Sequence, residues 1–143
     1  MAELLTNNTI SASGSYSELS QIREFVRRRA SEAGLNLKKI ESVVLAVDEA
    51  CSNLIHYGLD FDDSKKIKVH TSIDENEFVI KIEDNCTSFD PRSNPSPNMD
   101  DYFKRFKKGG LGIHIMKSII DKIEYLPSSP TRDSNQLKLI MSI

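Results

Sequence analysis

The order of elements legible in the sequence, β-α-α-β-β-loop-α-β-β, predicts an α+β fold: a two-layer sandwich whose mostly antiparallel, mixed sheet is covered on one face by three helices. Between Ser17 and His56 apolar residues recur at three- and four-residue steps, the spacing of helices with one buried side. From Ile67 to Ile82 they alternate with polar residues, as in strands buried on one face. The chain has 143 residues, 38% hydrophobic and 28% charged, which suits one domain, 1–143, with a core of its own.

Residues 3–11 read as a short edge strand anchored by Leu4, Leu5 and Ile10. Ser17 caps a first helix in which Leu19, Ile22, Phe25, Val26 and Ala30 share a face, and Gly34 ends it. Asn36 caps a second helix running to about His56, which Gly58 stops. Asp60–Asp63 is a polar loop. Ile67, Val69, Thr71 and Ile73 define a strand, Glu75-Asn76 a tight turn, and Phe78, Val79, Ile80 and Ile82 the returning strand, a hairpin over 66–83. From Asn85 to Gly110 the chain holds Pro91, Pro95 and Pro97, with bulk only at Tyr102, Phe103 and Phe106. So long a loop in one domain reads as a lid or a binding element. A third helix follows over Leu111–Ile123. Two strands, Ile123–Leu126 and Gln136–Ile143, then close the chain across a Pro-containing turn at Ser128–Asp133.

With 19 Lys+Arg against 21 Asp+Glu the net charge is −2, which argues against a protein that binds nucleic acid directly. Cys51 and Cys86 are too few for a disulfide framework or a four-ligand zinc site, and their spacing fits no redox motif. Two free thiols in a reducing, cytoplasmic setting are expected. No apolar run approaches the ~20 residues that span a bilayer, and Met1 to Ile10 carries no secretory signal.

Three places carry chemistry. On a wheel of the second helix, Val43, Val44, Val47, Ala50, Cys51, Leu54 and Ile55 fall in one arc, and Glu41, Asp48, Glu49, Ser52, Asn53 and His56 on the opposite, polar side. Glu49 and Asn53 are four apart and therefore neighbours. A carboxamide oxygen is a hard neutral ligand for Mg²⁺, and a carboxylate beside it can take a proton from an attacking hydroxyl. Alone, the pair is more readily read as the solvated polar face of an ordinary amphipathic helix. Gly109-Gly110-Leu111-Gly112 precedes the third helix, where bare backbone N–H groups favour an anion; a lid hinge or a glycine cap is the plainer account. Asp84 ends a strand, where it can accept a hydrogen bond from a ligand amine such as that of adenine, or simply cap the turn.

These features, in this order, resemble the nucleotide-binding boxes of the superfamily that unites gyrase, heat-shock chaperone, histidine-kinase and mismatch-repair ATPases. Ala46 to His56, with its Glu-Ala-x-x-Asn core, looks like the N-box. Asp84 to Pro91 looks like the Asp-x-Gly box with a following Phe-Asp-Pro, and Gly109 to Met116 like the second glycine box. The similarity is strongest to the bacterial anti-sigma factor serine kinases and covers essentially the whole chain. It implies a histidine-kinase-like ATPase (Bergerat) fold with an ATP lid at about 90–110, and ATP and Mg²⁺ as cofactors. Asn53 would coordinate Mg²⁺, Glu49 would be general base on a serine hydroxyl, and Asp84 would read adenine. Lys108, Gly109, Gly110, Leu111 and Gly112 would bind nucleotide, with Gly110 and Gly112 bringing backbone amides to the phosphates. Cys86 would lie under the adenine, where the family has glycine, and a side chain there is expected to crowd the base or resist a positive φ.

The partners so implied are a sigma factor or similar client and a STAS-domain anti-anti-sigma protein as phosphorylation substrate, with homodimerisation common in the family. The rival from another class is a non-catalytic partner-binding switch on the same fold with weak or no ATP binding. A detached histidine-kinase ATPase domain is a third reading. Lys104-Arg105-Phe106-Lys107-Lys108 reads as lid charge, a γ-phosphate contact or a docking patch. Arg23, Arg27 and Arg28 read as ordinary surface charge or as a docking face for an acidic partner. His56 and His114 make no metal-ligand constellation.

Overall fold

Alternating side chains build the sheet: Ile67 and Val69, then Phe78, Ile80 and Ile82, then Leu137, Leu139 and Met141 all turn to one buried side. The computed structural model describes residues 2–13, 15–55, 66–85 and 116–143. In chain order the elements are β1 (Glu3–Thr6), β2 (Thr9–Ser13), α1 (Leu19–Glu32), α2 (Leu37–Asn53), β3 (Lys66–Asp74), β4 (Glu77–Asp84), β5 (Lys122–Leu126) and β6 (Asn135–Ser142). The strands form a six-stranded sheet in the order β1-β2-β3-β4-β6-β5. Every pairing among them is antiparallel, so the mixed character expected from the sequence is absent from the described strands. Two helices join β2 to β3 and reverse the chain twice, which lets these neighbours run antiparallel. After β4 the chain crosses to the edge as β5 and returns as β6 against β4.

Where the sequence reads one strand over 3–11, the structure has a hairpin. Asn7-Asn8 turns the chain, with Asn8 N–H donating to Thr6 Oγ1 at 3.3 Å. Ser15, not Ser17, caps the entry to the first helix: it accepts from Ser17 N–H, a 3-10 turn spans Tyr16–Glu18, and α1 begins at Leu19. Leu19, Ile22, Phe25, Val26 and Ala30 form its buried face, as their spacing predicts. Gly34 ends the helix at φ +96, a conformation that suits glycine. Leu35 N–H returns to the Ala30 carbonyl (3.2 Å) and Gly34 N–H to that of Ser31 (3.0 Å), a Schellman closure that leaves Leu35 buried.

Asn36 then caps α2, its side chain accepting from Lys39 N–H at 2.9 Å. In this way α1 and α2 lie antiparallel over one face, α1 above β2 and β3 and α2 above β6. Arg29 Nε donates to the buried Thr71 Oγ1 at 3.1 Å and ties α1 to β3. The opposite face is polar, with Lys81 and Glu83 3.2 Å apart and His70 Nε2 3.0 Å from Glu83. The expected third helix is described only at 116–119, where Met116 and Ile119 pack toward the core, and it ends earlier than the predicted Ile123. Asp121 stops it by accepting from Ser142 N–H (2.8 Å), and Ile123 already belongs to β5.

Candidate functional site

α2 is the helix on which the site is built. Val43, Val47, Ala50 and Cys51 are completely buried, and Ala46 is too. That last burial changes the place of Asn53. The sequence assigns it to the polar side, but it lies about 20° round the helix from Ala46. It is buried with it, at 5% exposure. The core-facing arc is wider than hydrophobicity alone predicts because both α1 and the sheet cover this helix. Asn53 Nδ2 is buried and has no hydrogen-bond partner among the described residues. A buried amide N–H left so costs about 1–3 kcal/mol. The carboxamide also suits Mg²⁺, since its oxygen is a hard neutral donor.

Glu49, one turn earlier, is half-buried and makes no ion pair or hydrogen bond among the described residues. Its neighbour Asp48 is committed elsewhere, to Arg23 of α1 at 2.7 Å. Two adjacent carboxylates are thus distinguished by environment, one tethered and one available. Among the described residues there is no group of three His, Cys, Asp or Glu that could hold a metal by itself.

Asp84 ends β4 and is buried at 5% exposure, directly opposite the completely buried Asn135 of β6. Asn135 Nδ2 donates to Asp84 Oδ1 at 2.9 Å, and Asn135 Oδ1 accepts from Ser128 N–H at 2.8 Å. Asn85 finishes the strand end, its Oδ1 accepting from Lys66 N–H at 3.1 Å. Cys51, on the core side of α2, is completely buried. Burial pushes its thiol far above the ordinary range, and the negative charges of Asp48 and then Asp84 push it further. Cys51 therefore stays a neutral thiol.

Of the residues singled out in the sequence, Glu49, Asn53 and Asp84 are described. Cys86, Lys108, Gly109, Gly110, Leu111 and Gly112 lie outside the described residues, as do the segment 90–110, the cluster at 104–108, His56 and His114. The arginines of α1 are not a bare basic face: Arg27 pairs with Glu24 and Glu41, Arg28 with Glu32, and Arg23 with Asp48. Sequence reasoning missed Asn135. Its signal was a polar residue heading the alternation Leu137, Leu139, Met141 on the core side of the last strand.

Residues 13–141 match the histidine kinase-like ATPase domain. Among curated proteins the chain is similar to the serine-protein kinase RsbW of Listeria monocytogenes serotype 4a (strain HCC23), 27% identical over 99 residues, covering 66% of this chain and 63% of that protein. It is similar also to serine-protein kinase RsbW of Bacillus subtilis (strain 168), 26% identical over 103 residues, covering 66% and 61%. The matched region thus spans less than two thirds of those relatives. A match from residue 13 to residue 141 takes in both helices, the β3–β4 hairpin and Asn135, and the chain belongs to the histidine kinase-like ATPase domain family, whose fold is the Bergerat fold.

Proposed function

We propose that this chain is an ATP-dependent protein-serine kinase and anti-sigma factor in a cytoplasmic partner-switching system. It binds a sigma factor or similar client and phosphorylates a STAS-type antagonist. Residues 1–143 act as one domain, with a lid at about 90–110. The observation that carries the reading is Asn53, whose buried Nδ2 has no hydrogen-bond partner among the described residues, one turn from the half-buried carboxylate of Glu49. The relatives named serine-protein kinase support it.

In this reading Asn53 holds Mg²⁺ through its carboxamide oxygen, and Asp84 accepts a hydrogen bond from the exocyclic amine of adenine. The metal, when bound, supplies charge neutralisation on the phosphates. Glu49 accepts the proton of the partner's serine hydroxyl as its oxygen attacks the γ-phosphorus and ADP leaves. Arg23 keeps Asp48 away from that role. Lys108, Gly109, Gly110, Leu111 and Gly112 line the phosphates, and Cys86 lies under the base.

Calorimetric titration with ATP and Mg²⁺ tests the site. Micromolar binding that Asn53→Ala abolishes is expected, followed by Glu49-dependent transfer of the γ-phosphate to a serine of the antagonist. No heat up to millimolar ATP would sink the kinase reading. The second reading, a partner-binding switch without catalysis, is favoured by Cys86 standing where the family carries glycine. It predicts client binding with no phosphate transfer.

A further inference from the structure

We propose that Thr9 and His70 form a proton-operated latch on the β1–β2 turn. A neutral imidazole takes the Thr9 hydroxyl hydrogen, and an imidazolium sends it to the turn residue Asn8. The latch lies on the open face of the sheet and stands apart from the nucleotide reading.

Thr9 opens β2, pairs with His70 of β3 and is buried. Its hydroxyl has one hydrogen to give and two acceptors within reach, His70 Nδ1 at 3.0 Å and Asn8 Oδ1 at 3.3 Å. The other ring nitrogen, Nε2, lies 3.0 Å from Glu83 Oε1, within ion-pair range but without the alignment of a hydrogen bond. A lone pair on Nε2 would face a carboxylate. In the neutral ring Nε2 therefore carries the proton, and Nδ1 is left as an acceptor for Thr9. Proton uptake reverses that bond. It fills Nδ1, which then donates to Thr9 Oγ1, and the hydroxyl hydrogen swings to Asn8 Oδ1.

Asn8 is where the change is felt. Its side chain already accepts from Thr6 Oγ1 at 2.6 Å, and its carbonyl accepts from Thr71 N–H at 2.8 Å. These bonds hold the turn that ties β1 to the sheet, a strand exposed along its length at Leu4 and Leu5. A second donor on Asn8 Oδ1 firms that turn on acidification. The surroundings set the pH at which this happens. Burial lowers the pKa of the ring below 6.5; Glu83 works against that shift, and Lys81 of β4 and Lys68 of β3 add to it. From β2 only the hydroxyls of Thr9 and Ser11 come alongside, and Arg29 of α1 is bonded to Thr71 on the other face. Asp74, Glu77, Lys122, Glu124 and Lys138 line the same shallow cavity beyond them.

An NMR titration of the full chain from about pH 8 to about pH 5, the range in which imidazole changes charge, tests the latch. The ring nitrogen shifts are expected to report the Nε2–H tautomer at the alkaline end. The Asn8 side-chain amide signals should then move with the same midpoint as the ring. Thr9→Val keeps the branched shape without the hydroxyl: the ring should still titrate while the Asn8 response is lost. Thr9→Ser should restore it. An Asn8 response as large in Thr9→Val as in the wild type would come from the imidazolium charge alone and would overturn the proposal. So would an Nδ1–H tautomer at the alkaline end, an Asn8 signal that stays still as the ring titrates, or a ring that does not titrate before the chain unfolds. Should Thr9→Val not fold, Thr9→Ala takes its place.

Discussion

Phe78 faces Met141 near one end of the β4–β6 pair, and Asp84 faces Asn135 at the other. All four are buried, yet the two ends obey different physics. The first is an apolar contact whose stability comes from area removed from water and close packing. The second places a carboxylate and an amide where burial is unfavourable unless hydrogen bonds replace those to water. Two well-packed apolar residues would suit the same pair of positions at least as well energetically. Stability alone therefore accounts for the apolar end and leaves the choice of residues at the polar end unaccounted for.

The largest expected effect separates these roles at the apolar end. Phe78→Ala should destabilise the fold by about 3–5 kcal/mol, read as a shift of the denaturation midpoint. The fraction still folded should keep its affinity for ATP. At the polar end the pattern should reverse: Asp84→Asn should cost nucleotide binding about 1.5–3 kcal/mol while the unfolding midpoint moves little. Equal loss of stability at both ends would erase the distinction.

Arg23→Ala asks whether the polar end depends on α1. Arg23 and Asp48 are both partly exposed, so the stability change should be about 1 kcal/mol or less and shrink with added salt. The smallest effect belongs to His70, on the open face between the two ends. Burial lowers its pKa below 6.5; Glu83 opposes the shift, and Lys81 and Lys68 reinforce it. Thr9 bonds its other ring nitrogen at 3.0 Å. The folded chain therefore binds a proton less readily than the unfolded one. Stability should be full above the unfolded value near 6.5 and decline as the pH falls through the folded value. His70→Gln should flatten that slope in pH-dependent thermal unfolding.

What the sequence revealed was what acts locally. Asn36 and Gly34 punctuate α1 and α2 by chemistry confined to a few residues, and Glu49 and Asn53 are neighbours by helical spacing alone. The Asn7-Asn8 turn was lost because three weak anchors in nine residues resemble one strand as readily as two. The burial of Asn53 was hidden because it depends on how far α1 and the sheet wrap α2, which no wheel contains. The end of the third helix was misplaced because Ile119, Ile120 and Ile123 continue an apolar pattern across Asp121, whose stop signal is a bond to Ser142. Asn135 had no motif to announce it, since its role exists only once β6 lies beside β4.

That last dependence reaches into biosynthesis. Asp84 and its amide partner are 51 positions apart in the chain. Since α2 also lies over β6, neither end of the candidate site can be complete in a nascent polypeptide before that last strand is made. Chains stalled on the ribosome before residue 135 should show no preference for adenine, and the preference should appear abruptly when β6 emerges from the exit tunnel and pairs. Selectivity would thus be among the last properties the folding chain acquires, a built-in delay between synthesis and recognition.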